Sequence, residues 1–261
     1  MSETSEKPAG NGIEAKVQHS YPTYVSNEDD EAIFDFLEKE KSEERVKKAI
    51  EAFRNGGYVA IIEQKKEREA DLGFYAGHAS NERVGEFMEL VRGGGSFCVA
   101  FPVSYLESYI KTLETEYARL KVFDPEKPNF VNIVDSDKGG TGWQAPDRAL
   151  VVADLMAGSF GNIKSLGHSY LLKAHPDGLR GRIGHTESYV DLAKLAGIEV
   201  PGVVFQELAR YGNEPSTKGV KLWGPELIQF LQDNAIQHVS TRDLIKYERA
   251  HPNGLSQLSL A

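Results

Sequence analysis

Apolar residues recur every three or four positions over 43–55, where Val46, Ala49, Ile50 and Phe53 share one side, and that spacing predicts a helix. The pair Gly56-Gly57 ends it. The pattern then becomes continuous: Tyr58-Val59-Ala60-Ile61-Ile62 is short, apolar and rich in β-branched residues, which predicts a buried strand. Periodic and continuous stretches alternate from there on. Helices are predicted over 31–40, 81–92, 105–120, 148–156, from Thr186 onward, 225–234 and 241–249. Strands are predicted over 72–76, 96–101, 130–134, 169–174, 203–205 and 238–240. Helices and strands mixed in this way along one chain predict an α/β domain. Residues 1–30 are polar and broken by Pro8, Gly10, Gly12 and Pro22. They read as a flexible N-terminal arm, with 31–261 as a single domain.

Three stretches do not fit as plain core or surface. The run Glu63-Gln64-Lys65-Lys66-Glu67-Arg68-Glu69-Ala70-Asp71 stands between two apolar strands without the Asn-Gly pair of a tight hairpin. It is expected to be a loop, either solvated or folded over a polar ligand to which it offers carboxylates. Residues 136–147 are Gly-rich, and Lys138 with Thr141 could wrap a phosphate there, although the Gly-Lys-Ser/Thr ending of a P-loop is absent. Third, Arg182-Ile183-Gly184-His185-Thr186-Glu187 precedes an apolar-faced helix that should stop at Gly197, with Thr186 as the expected N-cap. The start of a helix favours an anion, Arg182 offers phosphate a planar fork, and His185 can ligate a metal or move a proton.

Composition narrows the function classes. The chain has 261 residues, 40% of them hydrophobic and 26% charged, as in an ordinary globular protein. Its net charge of −9 argues against a broad nucleic-acid surface, but leaves room for a local phosphate site. A single cysteine excludes an intrachain disulfide framework, and Cys98 itself reads as a small core residue. No run is long and apolar enough for a membrane span, and the first residues lack the apolar stretch of a secretory leader. A cytoplasmic location and no membrane partner are expected.

With these motifs in view, the chain from about Glu43 to Arg249 resembles the 3,4-dihydroxy-2-butanone 4-phosphate synthase family. The segment from Arg182 to Gly197 is close to that family's RxGHTEAxVDLxxLAG, and 141–149 is similar to its TTGxSAADRA. Leu166-Gly167-His168-Ser169-Tyr170-Leu171-Leu172 is similar to PGHVFPL, and Phe97-Cys98-Val99-Ala100 to the central CVA strand. The resemblance implies a mixed-sheet, three-layer α/β fold and a homodimer with sites near its interface. It also implies a lyase-type reaction of riboflavin biosynthesis, ribulose 5-phosphate to dihydroxybutanone phosphate and formate. Magnesium or manganese would be held by Glu67 and His185. Asp71 would be the base, with Glu69 second, and His168 the second histidine of the site. Arg182, Thr186 and Thr141 would hold the phosphate, with Lys66, Arg68 and Asp147 also toward substrate.

The chain departs from that pattern in its loops. Lys66 stands for an arginine and Arg68 for an asparagine, Trp143 is bulky for its place, and SAAD has become Gln144-Ala145-Pro146-Asp147. Gln206 aligns with a glutamate that faces the substrate, with Glu207 one step along. A glutamine cannot act as a base at neutral pH. These departures predict a metal-dependent enzyme acting on a sugar phosphate or related hydroxy-ketone with altered substrate or outcome, as in specialised metabolism. The parent reaction and a non-catalytic dimeric binding protein are the alternatives.

Overall fold

The apolar runs pair into one mixed sheet of eight strands in the order β5-β4-β6-β3-β7-β2-β1-β8. In this computed structural model the described residues are 27–64, 68–91, 95–113, 124, 126–210 and 220–252. The strands are β1 (Val59–Glu63), β2 (Glu69–Tyr75), β3 (Cys98–Pro102), β4 (Phe130–Ser136), β5 (Ile163–Ser165), β6 (Ser169–Ala174), β7 (Val203–Glu207) and β8 (Gln237–Ser240). The helices are α1 (Asn27–Glu38), α2 (Ser42–Arg54), α3 (Asn81–Leu90), α4 (Val103–Thr112), α5 (Ala145–Met156), α6 (His185–Leu195), α7 (Pro225–Asp233) and α8 (Thr241–Ala250).

Strand side chains alternate between faces, so each central strand feeds two cores. Ala60, Ile62, Leu72, Val99 and Val204 enter one core, beneath α1, α3, α4, α5 and α7. Val59, Ile61, Ala100, Val203 and Phe205 enter the other, beneath α2, α6 and α8. That is the expected three-layer arrangement.

Four boundaries differ from the sequence reading, each for a physical reason. The charged run is not all loop: Glu69, Ala70 and Asp71 belong to β2, paired antiparallel with β1 through Glu63↔Glu69 and Ile61↔Asp71. The alternation there is acid–apolar–acid, which suits a strand with one polar face. Second, α1 starts at Asn27, inside the expected arm, because Asp30 is held by Arg68 and by Trp223. Third, α6 begins at His185 with Gly184 as N-cap, so Thr186 is within the helix rather than capping it. A Cβ at Gly184 would run into the Arg182 guanidinium, which explains the glycine. Fourth, β5 is a three-residue edge strand too short to stand out as a pattern. Within 105–120, α4 is described only to Thr112.

The α6–α8 contact carries an ionisable pair with a consequence for pH. Burial, then the Asp191 carboxylate beside it, pushes the Glu248 carboxyl from its ordinary 4.5 up to about 7. The folded chain therefore keeps a proton that the unfolded chain has released, and stability is lost as pH rises from 4.5 to 7. Glu248→Gln preserves a donor toward Asp191 and removes the ionisation. It is expected to stabilise the protein by about 1–3 kcal/mol at pH 8 and to leave it nearly unchanged at low pH. Thermal unfolding of both proteins on either side of that window checks this; an equal difference at both pH values would refute it.

Candidate active site

The site forms where the β1–β2 hairpin meets the start of α6. Ala70 and Leu72 face one core, so Glu69 and Asp71 must face the other side, toward α6. Tyr189, one turn into α6 and fully buried, locks the two elements together. Its hydroxyl donates to the carbonyls of Val59 at 3.0 Å and of Asp71 at 2.7 Å. Its ring stacks on Phe205 at 5.2 Å and occupies the space over Gly73, where a Cβ would collide with it. This packing sets His185, the first residue of α6, over the hairpin.

His185 Nδ1 lies 3.6 Å from Glu69 Oε1 and 3.8 Å from Asp71 Oδ2. One ligand atom from each of the three buried residues falls within 4.8 Å of the others. Two carboxylates with one imidazole form a donor set suited to a hard divalent cation. Lys221 Nζ approaches the other oxygen, Glu69 Oε2, to 2.5 Å. Sequence reasoning missed Lys221 because it arrives from a distant loop, at an isolated bridge between Ala209 and Lys221.

A cleft of about 110 Å³ opens beside these groups, bordered also by Cys98, Arg182, Thr186 and Glu207. Burial, then the charges of Asp71 and Glu207, pushes the Cys98 thiol pKa upward, so this cysteine is a neutral wall rather than a nucleophile. The sequence placed Cys98 in the core; it packs there and also borders the cleft. Arg182 is 5% exposed and pairs with Glu187 Oε2 at 2.5 Å, while its Nε has no hydrogen-bond partner. Burial raises the Glu187 pKa even though Arg182 and the His175 backbone N–H oppose it. The result is a guanidinium held in place at the cleft beside Thr186.

A second group gathers around Asp135. His168 lies on the β5–β6 loop with Nδ1 2.8 Å from Asp135 Oδ2, and its backbone N–H donates to Oδ1 at 2.9 Å. A Cβ at Gly142 would collide with the same carboxylate. Asp147 accepts the N–H groups of Gly140 at 2.8 Å and Gly142 at 3.0 Å, so its carboxylate organises the Gly-rich loop. Thr141 and Trp143 are exposed on that loop. Within one chain, neither His168 nor Thr141 borders the cleft at His185.

A model of the 3,4-dihydroxy-2-butanone 4-phosphate synthase family matches residues 47–247. The chain belongs to this family. The synthase of Hamiltonella defensa is 30% identical over 211 residues, covering 79% of this chain and 91% of the relative. That of Haemophilus influenzae is 28% identical, covering 80% and 94%. A solved 3,4-dihydroxy-2-butanone 4-phosphate synthase in cation-free form superposes with a TM-score of 0.63 at 26% identity, covering 78% of this chain and 97% of its own. A solved synthase described as in complex with two magnesium ions shares the fold, with a TM-score of 0.64 at 24% identity. The sheet and layers are therefore those of the family, and the chain is an enzyme of this lyase-type group.

Set against the synthase pattern, two of the expected residues move. Arg68 does not face the cleft: its guanidinium pairs with Asp30 of α1 at 2.7 Å. On β7, Glu207 pairs across to Asp71 and Gln206 to Leu72. Directly opposed residues share a face, so Glu207 stands on the side of Asp71, and Gln206, though it borders the cleft, starts from the opposite face. Glu207, one step beyond the aligned Gln206, thus shares the face of Asp71; pairing register cannot be read from one strand alone. Lys66 and Glu67 lie outside the described residues.

Proposed function

We propose that the protein carries out the parent reaction of its family, converting ribulose 5-phosphate to 3,4-dihydroxy-2-butanone 4-phosphate and formate. The observation that carries this reading is the buried Glu69–Asp71–His185 cluster beside the Arg182–Thr186 cleft, in a chain whose relatives bear that name. The altered-substrate reading leaned on the loop departures together, and the β7 register weakens one of them, Gln206, by supplying Glu207 on the cleft face. The two products together contain all the atoms of the substrate, so no oxidant or second substrate is required.

The roles follow from the donor chemistry. Arg182 and Thr186 would grip the phosphate end at the helix start. His185 and its carboxylate neighbours, with Glu67 two residues before Glu69 in the sequence, would hold Mg²⁺ or Mn²⁺. A bound divalent cation would supply Lewis-acid stabilisation of negative charge developing on the substrate's oxygens. Asp71 would take a proton from a carbon beside the carbonyl and return it later, with Glu69 as the second carboxylate. Lys221 Nζ lies at Glu69 Oε2 and would restrain that carboxylate. His168 would reach the site of a second copy in a homodimer, since it lies outside the cleft of its own chain.

The test is direct. Purified full-length protein with Mg²⁺ and ribulose 5-phosphate is expected to release formate, read by a coupled formate dehydrogenase assay. Chelation of the metal should stop release and re-addition restore it. Absence of formate from folded, metal-supplied protein would overturn the reading.

A further inference from the structure

We propose that Asp30 is a positioning residue that ties together the two segments flanking the catalytic cleft. The proposal rests on the functional reading above only for the meaning of the cleft. Asp30 lies on α1, and α1 ends before residue 47, where the family match begins. This helix lies outside the matched residues. It is firmly seated: Ile33 and Leu37 enter the core, and Phe36 stacks on His238 at 4.5 Å. A Cβ at Gly224, where φ is +65°, would meet the Asp29 side chain, so α1 fits closely against the start of α7.

The Asp30 carboxylate uses both oxygens. Oδ2 lies 2.7 Å from Arg68 Nη2, and Oδ1 accepts the Trp223 indole N–H at 3.1 Å. Arg68 immediately precedes Glu69, and Trp223 follows Lys221 by two residues. Lys221 in turn reaches Glu69 at 2.5 Å. A closed ring results, running from Asp30 through Arg68 and Glu69 to Lys221, and through Trp223 back to Asp30. Glu69 is the member of this ring that belongs to the carboxylate–histidine cluster.

The ring has something to hold. Arg68 sits at φ +48°, in the left-handed region where a residue with a Cβ persists only if its surroundings impose it. An exposed ion pair adds little stability by itself. Its effect here is directional: it fixes the backbone one residue before Glu69, as outer hydrogen-bond partners orient metal ligands in other sites. Arg68 is also one of the positions at which the loop departs from the family pattern, and its partner comes from the helix that precedes the matched residues.

The experiment compares full-length wild type with Asp30→Ala, Asp30→Asn and Arg68→Ala. Mn²⁺ binding is followed by titration without substrate, together with hydrogen exchange of the whole chain. Asp30→Ala is expected to weaken Mn²⁺ binding about tenfold. Exchange should quicken in the peptides carrying Arg68 to Asp71 and Lys221 to Trp223, and not in β3 or β6. Asp30→Asn, which keeps an acceptor for Trp223, should fall between, and adding Arg68→Ala to Asp30→Ala should cost little more. Unchanged Mn²⁺ affinity and exchange would overturn the proposal, as would faster exchange across the entire sheet. If Asp30→Ala fails to fold, Arg68→Ala, which leaves Trp223 its acceptor, decides on the same readouts. Wild type that releases no formate, together with local loosening in the variants, would sink the functional reading and leave the tether standing.

Discussion

His185→Ala is expected to lower formate release by about 10³-fold or more, the value of several kcal/mol of charge stabilisation at the reacting oxygens. The imidazole stands between two buried carboxylates, 3.6 Å from one and 3.8 Å from the other. Its removal leaves Glu69 and Asp71 as neighbouring like charges, with Lys221 Nζ placed at Glu69. Divalent affinity should therefore fall together with turnover, and raising Mn²⁺ should recover part of the lost rate. The fold should persist, because α6 is anchored by Tyr189, Val190 and Leu192, all fully buried, rather than by its first residue. Steady-state formate release, Mn²⁺ titration and thermal unfolding measured on one preparation separate these effects. Full activity at ordinary metal concentration would remove His185 from the mechanism.

Much of this geometry is written locally in the sequence. The helical spacing of Val46, Ala49 and Phe53 and the apolar run at 59–62 each dictate an element without help from the rest of the chain. The Gly184-His185 junction is also local, since the glycine makes room for Arg182 two residues earlier. What the sequence could not show is how distant segments align. Glu69 and Asp71 resemble the rest of a solvated charge run until β1 pairs with them, after which Ala70 is seen to fill the core between them. Gln206 and Glu207 differ by one step along β7, and only the pairing with β2 says which shares a face with Asp71. Lys221 and Asp30 carry no local signal, because their meaning depends on contacts with Glu69 and Arg68 far along the chain.

These observations divide the labour at the cleft. The α6 start supplies a fixed cation, Arg182, already compensated by Glu187, so an anion bound there would meet a side chain that is already ordered. The hairpin supplies acidic groups at alternate positions, and Lys221 places a cation at one of them, Glu69. Two neighbouring carboxylates in different surroundings are what a reaction needs when one must bind and the other must move a proton.

Asp71→Asn is accordingly expected to reduce kcat by about 10² to 10⁴-fold, the usual loss when a general base is removed, with little change in KM. Asparagine is nearly isosteric, and the backbone carbonyl of residue 71 would still accept the Tyr189 hydroxyl, so the hairpin and α6 should keep their places. Metal affinity should fall far less than in His185→Ala, because the imidazole and the other carboxylates persist. The decisive readout is exchange of substrate carbon-bound hydrogen with deuterium from solvent, which reports proton removal whether or not formate leaves. Asp71→Asn should abolish it at saturating Mg²⁺, and Glu69→Gln should slow turnover mainly through metal and substrate binding. If Asp71→Asn retains exchange and Glu69→Gln loses it, Glu69 is the base and the contact with Lys221 serves proton transfer rather than restraint.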